Sequence, residues 1–245
     1  MTTAEIALTI FGLLLAGFVK GASGIGYSTT AIPVLTLGLG IENAMPIVLL
    51  PSISSNIFVM LDAGNFEKTL RKFSPLFLAL FPGLLLGLAS LHYLNKPIAA
   101  AVLGGVIIIY GIYALPRANL VLPEHLVRPL RIPVGFLNGF INGLTGSQIV
   151  PVVPYALSLR ISPNEVVQLT NIAFTLSSLV MIVGLATLGY LDFSKLLISA
   201  LGIVLAFTGV RVGSYVRRSI PAETFRRLVL SLLMFLGFCL IVPVL

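Results

Sequence analysis

Two short stretches interrupt long apolar runs of this chain: Lys20-Gly21-Ala22-Ser23-Gly24-Ile25-Gly26 near the N-terminus, and Asn142-Gly143-Leu144-Thr145-Gly146-Ser147-Gln148 about half a chain later. Each stretch places small, flexible and polar residues where a membrane helix would otherwise continue. Paired interruptions at matching places in the two halves of a chain are typical of a transporter binding site. The predictions of the fold and of the function both start from these two stretches.

The composition places the chain among membrane proteins. Hydrophobic residues make up 58% of the 245 residues and charged residues only 9%, whereas a soluble domain is about a quarter charged. Apolar runs of about 20 residues, the length that crosses the hydrocarbon core, recur from end to end. The net charge of +7 does not indicate nucleic-acid binding, because the basic residues lie in short connectors between the apolar runs.

Eight apolar helical segments are predicted, in an all-α polytopic membrane fold. They cover residues 4–38 (interrupted at 20–26), 43–61, 73–91, 97–115, 132–159 (interrupted at 142–148), 163–188, 194–215 and 222–244. Ser162-Pro163-Asn164-Glu165 marks the start of segment six, because it combines a capping box with proline at the first helical position.

The second half of the chain repeats the first. Gly83-x-x-x-Gly87 in segment three matches Gly209-x-x-x-Gly213 in segment seven, and Pro97 opens segment four as Pro221 precedes segment eight. Both glycine pairs are predicted to be close helix contacts. The expected domains are a first membrane repeat over 1–115, a cytoplasmic linker over 116–130 and a second repeat over 131–245.

The basic residues decide between two topologies. Segments one and five could each be one broken span, or a hairpin that returns to the side it entered. Single spans would leave seven basic connector residues on one side and six on the other, whereas hairpins separate them eleven to two. The eleven are Lys68, Arg71, Lys72, Arg117, Arg128, Arg131, Arg160, Arg217, Arg218, Arg226 and Arg227, and the two are Lys96 and Lys195.

Hairpins are therefore predicted, because positive residues concentrate on the cytoplasmic side. Each half then crosses the membrane an odd number of times, so that the second half is inverted and both termini lie outside. The prediction is ten helices, counting both arms of each hairpin. The arms would run about 11–16 residues, too short for a full perpendicular crossing, so the tips would lie at depth.

The tips are expected to bind an anion near the midplane. A new helix is predicted to begin near Ile25–Ser28 and another near Ser147–Gln148, and helix N-termini attract anions. Unwound backbone at membrane depth must line a cavity or be buried in protein. The candidate substrate-binding residues are Lys20, Ser23, Gly24, Ile25, Gly26, Ser28, Asn56, Asn142, Gly143, Thr145, Gly146, Ser147, Gln148 and Asn171.

Several of these side chains allow more than one interpretation. Lys20 could contact or gate the anion, reach toward an interface, or bind the last carbonyls of its own helix. Arg211 could line the path or reach an interface. Asn56 and Asn171 could face the pathway or form hydrogen bonds between helices.

The sequence indicates neither an enzyme nor a cofactor. No span contains a central Asp, Glu or His, and no nucleophile–base pair, phosphate-binding loop, metal-ligand spacing or ATP-binding element is found. The two histidines lie in connectors, and the one cysteine, Cys239, makes no metal site by itself.

The order of these motifs resembles the TauE/SafE sulfite exporter family, also called the toluene sulfonate uptake permease family. The resemblance rests on the two glycine turns, the Gly-x-x-x-Gly pairs and Glu223-Thr224-Phe225-Arg226-Arg227 before the last apolar run. It implies a bacterial or archaeal inner-membrane transporter of small sulfur-containing anions such as sulfite, sulfonates or thiosulfate, with export predominating. The family's glycine-rich turns correspond to Gly21–Gly26 and Gly143–Gly146.

The sequence is therefore interpreted as a secondary transporter of a small sulfur anion that works by alternating access at the two tips. The rival hypotheses are a transporter of another anion such as a carboxylate, an anion channel, and a non-transporting membrane subunit. The expected partners are the anion and membrane lipid, without nucleic acid, and a homodimer is one option for assembly. Neither the coupling ion nor the oligomeric state follows from the sequence.

Overall fold

The computed structural model describes residues 1–116, 121–216 and 222–242, without the side chains of residues 62, 222, 223, 225 and 226. Arg117, Arg217, Arg218, Pro221 and the last two residues of predicted segment eight lie outside the described residues. The described helices are α1 (Thr3–Ser23), α2 (Tyr27–Leu39), α3 (Ile41–Ala63), α4 (Phe66–Lys72), α5 (Ser74–Tyr93), α6 (Lys96–Ala114), α7 (Glu124–Val127), α8 (Arg131–Thr145), α9 (Val152–Ser158), α10 (Pro163–Thr187), α11 (Phe193–Val216) and α12 (Ala222–Ile241).

The described part of the chain is all-helical, with every predicted segment present as a helix or a broken helix. Its 12 helices exceed the predicted ten because two short helices, α4 and α7, lie in polar connectors that apolar periodicity does not reveal. Six of the helices are long and apolar enough to cross a membrane by length and composition. The chain is therefore a multi-pass membrane protein.

The helix ends follow from local sequence signals. At the start of α10, Ser162 and Glu165 form the predicted capping box, with both reciprocal hydrogen bonds present. The first arm of each broken segment ends in the same way. Gly24 (φ 79°) and Gly146 (φ 72°) adopt the left-handed conformation that suits glycine, and their N–H groups donate to the carbonyls of Lys20 and Asn142 at 2.7 Å.

The helix α2 runs back along α1. Gly38 near the end of α2 faces Leu8, and Gly12 farther along α1 faces the side chain of Val34. The two helices thus pack antiparallel around the turn at residues 24–26. The prediction of arms of 11–16 residues was wrong, because α1 has 21 residues and is by itself long enough to cross a membrane.

The second broken segment also turns back on itself. Val152 at the start of α9 donates its N–H to Asn138 Oδ1 at 3.2 Å, and the Tyr155 hydroxyl donates to the Val127 carbonyl at 2.7 Å. Leu122 donates its N–H to the carbonyl of Ser158 at 2.9 Å. The end of α9 therefore lies beside the connector that precedes α8.

Each first arm packs in parallel against a span from the other half of the chain. Gly17 and Gly21 of α1 lie against the backbone of α11, where Gly209 and Gly213 lie against the backbone of α1. The same arrangement joins α8 and α5. A Cβ at Gly83 or Gly87 of α5 would overlap a carbonyl oxygen of α8, and one at Gly135, Gly139 or Gly143 of α8 would overlap a carbonyl oxygen of α5.

The two predicted Gly-x-x-x-Gly pairs are thus close helix contacts. In addition, α3 packs on both α10 and α11, and α6 packs on α12. The tips of the two broken segments lie against α3 and α10, between two apolar clusters of the core.

Replacing Gly83 by alanine tests the backbone contact between α5 and α8. We expect a loss of about 1–3 kcal/mol in unfolding free energy, because the added methyl group overlaps the carbonyl of Phe136 and forces the helices apart. Gly105→Ala on α6 is the matched control, since nothing lies within 4 Å of its Cβ position. Melting temperatures of the purified variants in detergent measure both effects, and equal values for the two variants would contradict the close contact.

Candidate functional site

The first polar centre is formed by Lys20 at the end of α1. The side chain is 1% exposed, and its Nζ donates to Asn56 Oδ1 of α3 at 2.5 Å and to Asn171 Oδ1 of α10 at 2.5 Å. Asn171 is itself held by a hydrogen bond from its Nδ2 to the carbonyl of Val167 at 2.7 Å. A buried charge is costly unless it has hydrogen-bond partners of this kind. Through these hydrogen bonds, the three residues connect α1, α3 and α10.

The second polar centre surrounds Gln148, in the turn after α8. Its Nε2 donates to Ser178 Oγ of α10 at 2.8 Å, and its Oε1 accepts from Ser28 Oγ of α2 at 3.4 Å. Ser28 and Ser52 of α3 share a hydrogen bond of 2.9 Å. Both tips therefore contribute to one network, because Ser28 follows the first turn and Gln148 belongs to the second.

A small cavity of about 10 Å³ lies beside this second centre, about the space that one water molecule requires. Its polar lining comes from Ser28, Ser52, Asn142, Gln148 and Ser178. The apolar lining consists of Ile32, Met45, Val48, Leu49 and Met181.

The two centres lie along the same pair of helices. On α3, Asn56 follows Ser52 by one turn, or about 6 Å. On α10, Asn171 precedes Ser178 by two turns, or about 10 Å. The polar groups thus form one row that starts at the cavity and ends at Lys20.

Four buried residues of this row and its surroundings carry polar side-chain atoms without a hydrogen-bond partner in the described structure. These are both amide atoms of Asn142, Oγ of Ser147, Nδ2 of Asn56 and both amide atoms of Gln168. Unpartnered buried polar atoms are costly, and they are rare enough that each calls for an explanation. Atoms of this kind beside a polar cavity are available to a ligand.

The structure divides the predicted site residues into two groups. Lys20, Ser28, Asn56, Asn142, Ser147, Gln148 and Asn171 are buried polar residues at or near the two centres, and Gly146 lines the cavity. The others shape the turns or the packing. Ser23 is exposed and donates to the carbonyls of Val19 and Ile25. Gly24, Ile25 and Gly26 form the first turn, Thr145 donates to the Ile141 carbonyl, and Gly143 packs on α5.

One expectation about the second tip was wrong. A helix was predicted to begin near Ser147–Gln148, but residues 147–149 are not helical and α9 begins at Val152. Pro151 stands at the N-cap of α9, and a proline is disfavoured in a helix interior because it has no N–H group to donate. The second tip therefore offers amide and hydroxyl side chains where a helix N-terminus was expected.

The sequence did not single out Ser52, Ser178 or Gln168 as site residues. A signal for two of them exists on α10, because residues 168, 171, 175 and 178 recur at the spacing of one helix face. Arg211, for which two roles were open, is exposed on α11 and takes no part in either centre.

The family can be assigned from the sequence as a whole. The profile of the family described as sulfite exporter TauE/SafE matches residues 9–240. The chain belongs to this family. Neither a curated protein nor a solved structure matches it. The match includes both turns of the broken segments together with α3 and α10, so the site described above lies within the part of the chain that the family shares.

The chemistry of the site is that of binding. Lys20 is the only charged residue among the buried residues of the described chain, and its neighbours are amides and hydroxyls. No cluster of three or more His, Cys, Asp or Glu suited to a metal ion occurs within the described residues. These groups can donate hydrogen bonds to an anion and can place one positive charge beside it, as expected in a family of membrane exporters.

A double-mutant cycle between Lys20 and Asn171 tests the first centre. Asn171→Leu should cost about 1.5–3 kcal/mol of unfolding free energy, since it removes a hydrogen bond to a charged group. In a Lys20→Met background the same change should cost much less, because the ammonium that needed the oxygen is gone. Unfolding in SDS titrations measures all four proteins, and additive effects of the two substitutions would contradict the coupling.

Proposed function

We propose that the protein is a secondary transporter, working as an exporter, of small sulfur-containing anions such as sulfite or organosulfonates across the bacterial inner membrane. The observation that carries the proposal is one buried ammonium in a row of amides and hydroxyls where two broken helices meet α3 and α10. The family match to sulfite exporters supports the class of cargo. The protein binds and moves this cargo and has no enzymatic role.

A sulfur oxyanion suits the donors of this site. Its oxygens point in several directions from one central atom, and each accepts hydrogen bonds. The Lys20 ammonium supplies charge, and the unpartnered amide groups of Asn56 and Asn142 and the hydroxyl of Ser147 supply further donors. Charge-assisted hydrogen bonds of this kind are about twice as strong as neutral ones. A carboxylate has two oxygens in one plane and would use fewer of these donors.

The size of the cavity supports alternating access. A cavity of about 10 Å³ accommodates a water molecule but not an anion of four or more heavy atoms. A cavity of this size supports a closed state, from which the anion would enter only when the elements around the site separate. The motion proposed is a rocking of the two broken segments and their partner spans around the tips.

The two ends of the site would open by different means. Along α3 the order is Met45, Ser52 and Asn56, and along α10 the reverse order is Met181, Ser178 and Asn171. Apolar side chains thus close one end of the polar row, and the Lys20 hydrogen bonds close the other. Opening the first end separates van der Waals contacts, whereas opening the second breaks hydrogen bonds.

The topology proposed is an inverted repeat of two hairpins, each followed by three spans. Lys72 and Glu165 form an ion pair of 3.4 Å, which supports hairpins because single spans would put these residues on opposite sides of the membrane. Arg160 and Glu124 lie 3.9 Å apart, across the second hairpin. With the basic linker inside, both termini lie outside.

Flux into proteoliposomes tests the function. We expect saturable uptake and counterflow of sulfite or an organosulfonate, and little of a dicarboxylate. Ser28→Ala should reduce the flux at least several-fold, because it removes the link between Ser52 and Gln148. Ser90→Ala is the matched control, since Ser90 is only partly buried and its hydroxyl donates to the Leu86 carbonyl of its own helix. Preference for dicarboxylates, or flux without saturation, would instead favour the rival carboxylate transporter or channel.

Cysteine labelling tests the topology. In a Cys239→Ser background, an impermeant maleimide added to intact cells should label Thr3→Cys and leave Glu124→Cys unlabelled. Both positions are exposed in the structure, so permeabilised cells should label both. The reverse pattern in intact cells would place the linker outside and refute the proposed orientation.

A further inference from the structure

The charge of Lys20 has no acidic partner among the buried side chains of the described residues. Every other buried polar residue there is Ser, Thr, Asn or Gln. The two atoms that accept from Nζ, the Oδ1 atoms of Asn56 and Asn171, belong to neutral amides. A full positive charge at such a place is costly unless a counter-charge or a change of protonation relieves the cost. A bound anion would supply such a counter-charge.

The two amide oxygens that accept hydrogen bonds from Lys20 suit an amine that can be either protonated or neutral. A lysine ammonium has three N–H donors, and a neutral amine keeps two of them together with a lone pair. The two amide oxygens therefore satisfy both N–H groups of the neutral amine. The same two hydrogen bonds can hold the nitrogen in place before and after one proton leaves.

Among the described side chains, the other titratable groups on the elements that pack around Lys20 are engaged or placed elsewhere. The Tyr27 hydroxyl on α2 donates to the backbone carbonyl of Leu13 at 3.4 Å. Glu42 at the start of α3 pairs with Lys96 at 2.8 Å. The remaining groups are Glu5 at the start of α1, Glu165 in its capping box on α10, Lys195 beside Asp192 at the start of α11, and the exposed Arg211 and Tyr215 of α11.

The two repeats are unequal at this position. Asn142 occupies in the second broken segment the place that Lys20 has in the first, because the carbonyl of each accepts a hydrogen bond from the N–H group of the glycine that ends its helix. Both residues are buried, yet only one can carry a charge. The pair of tips can therefore bind one proton and no more.

Resting on the proposed function, we propose that Lys20 is the proton carrier of the transport cycle, so that each monovalent sulfur anion moves together with one proton. The anion binds beside the –NH₃⁺ group, and the pair moves without net charge. When the anion leaves, one N–H bond breaks, its electrons stay on nitrogen as a lone pair, and the proton passes to water on that side. The neutral amine then returns between the two amide oxygens and takes a proton from water on the other side.

Proteoliposomes that contain a pH-sensitive dye inside test the inference. The cargo is a permanently ionised organosulfonate, so that no proton signal can come from the cargo itself. An inward gradient of sulfonate should acidify the interior in proportion to the anion flux. Lys20→Arg should keep sulfonate exchange but lose net flux at least about tenfold, because arginine does not release its proton in proteins. Lys20→Asn, which copies Asn142, should leave any residual flux without a pH change.

Lys195→Arg, a lysine at the start of α11 outside the site, is the matched control and should behave as the parent protein. Melting temperatures and the exchange assay show whether Lys20→Arg is folded. Sulfonate flux without acidification in the parent protein, or undiminished net flux with acidification in Lys20→Arg, would overturn the inference and leave the transport function standing. Absence of both flux and exchange in the parent protein would overturn the proposed function itself.

Discussion

Where the first arm of each broken segment meets its partner span, helix backbone touches helix backbone. The rest of the structure depends on this contact. Gly21 of α1 and Gly143 of α8 lie against the backbones of α11 and α5, and each directly follows a buried polar residue, Lys20 or Asn142. Because consecutive residues of a helix point about 100° apart, packing the glycine closely against the partner span directs the polar neighbour toward α3 and α10. The glycine contacts thus aim the polar side chains of both tips.

Two turns of the same backbone form carry different chemistry. Gly24 and Gly146 end their helices with nearly the same dihedral angles and the same hydrogen bond. After the first turn the chain becomes helical at once, and Ser28 comes to face the cavity. After the second turn the chain is not helical again until Val152, and Gln148 reaches Ser178. One tip therefore contributes a charge and a hydroxyl, and the other contributes amides.

Hydropathy, glycine and proline predicted most of the fold, because each acts locally. The capping box at Ser162 and the breaks near Gly24 and Gly146 are properties of a few adjacent residues. The late start of α9 was not predicted. A proline such as Pro151 is compatible with the first turn of a helix or with a loop before it, and the neighbouring residues alone do not determine which of the two forms. The short helices α4 and α7 lack the apolar length on which the segment prediction relied.

The sequence indicates which polar residues belong to the site, but it does not indicate which of them contact each other. Lys20, Asn56 and Asn171 stood out as polar residues in apolar segments, but their contact depends on which faces of α1, α3 and α10 meet. That register is set by tertiary packing, so the sequence left several roles open for each. Ser23 lies apart from both polar centres for a local reason, because it is exposed and its hydroxyl bonds to the carbonyls of its own turn.

Lys20 can carry a charge and Asn142 cannot, and this difference bears on the direction of transport. If identical halves exchanged roles across the membrane, the inward-facing and outward-facing forms would be energetically degenerate. A single ionisable tip removes that degeneracy, so one orientation becomes the ground state of the unloaded carrier. In the proposed rocking cycle, this one difference between the two tips would give the carrier a preferred direction of transport.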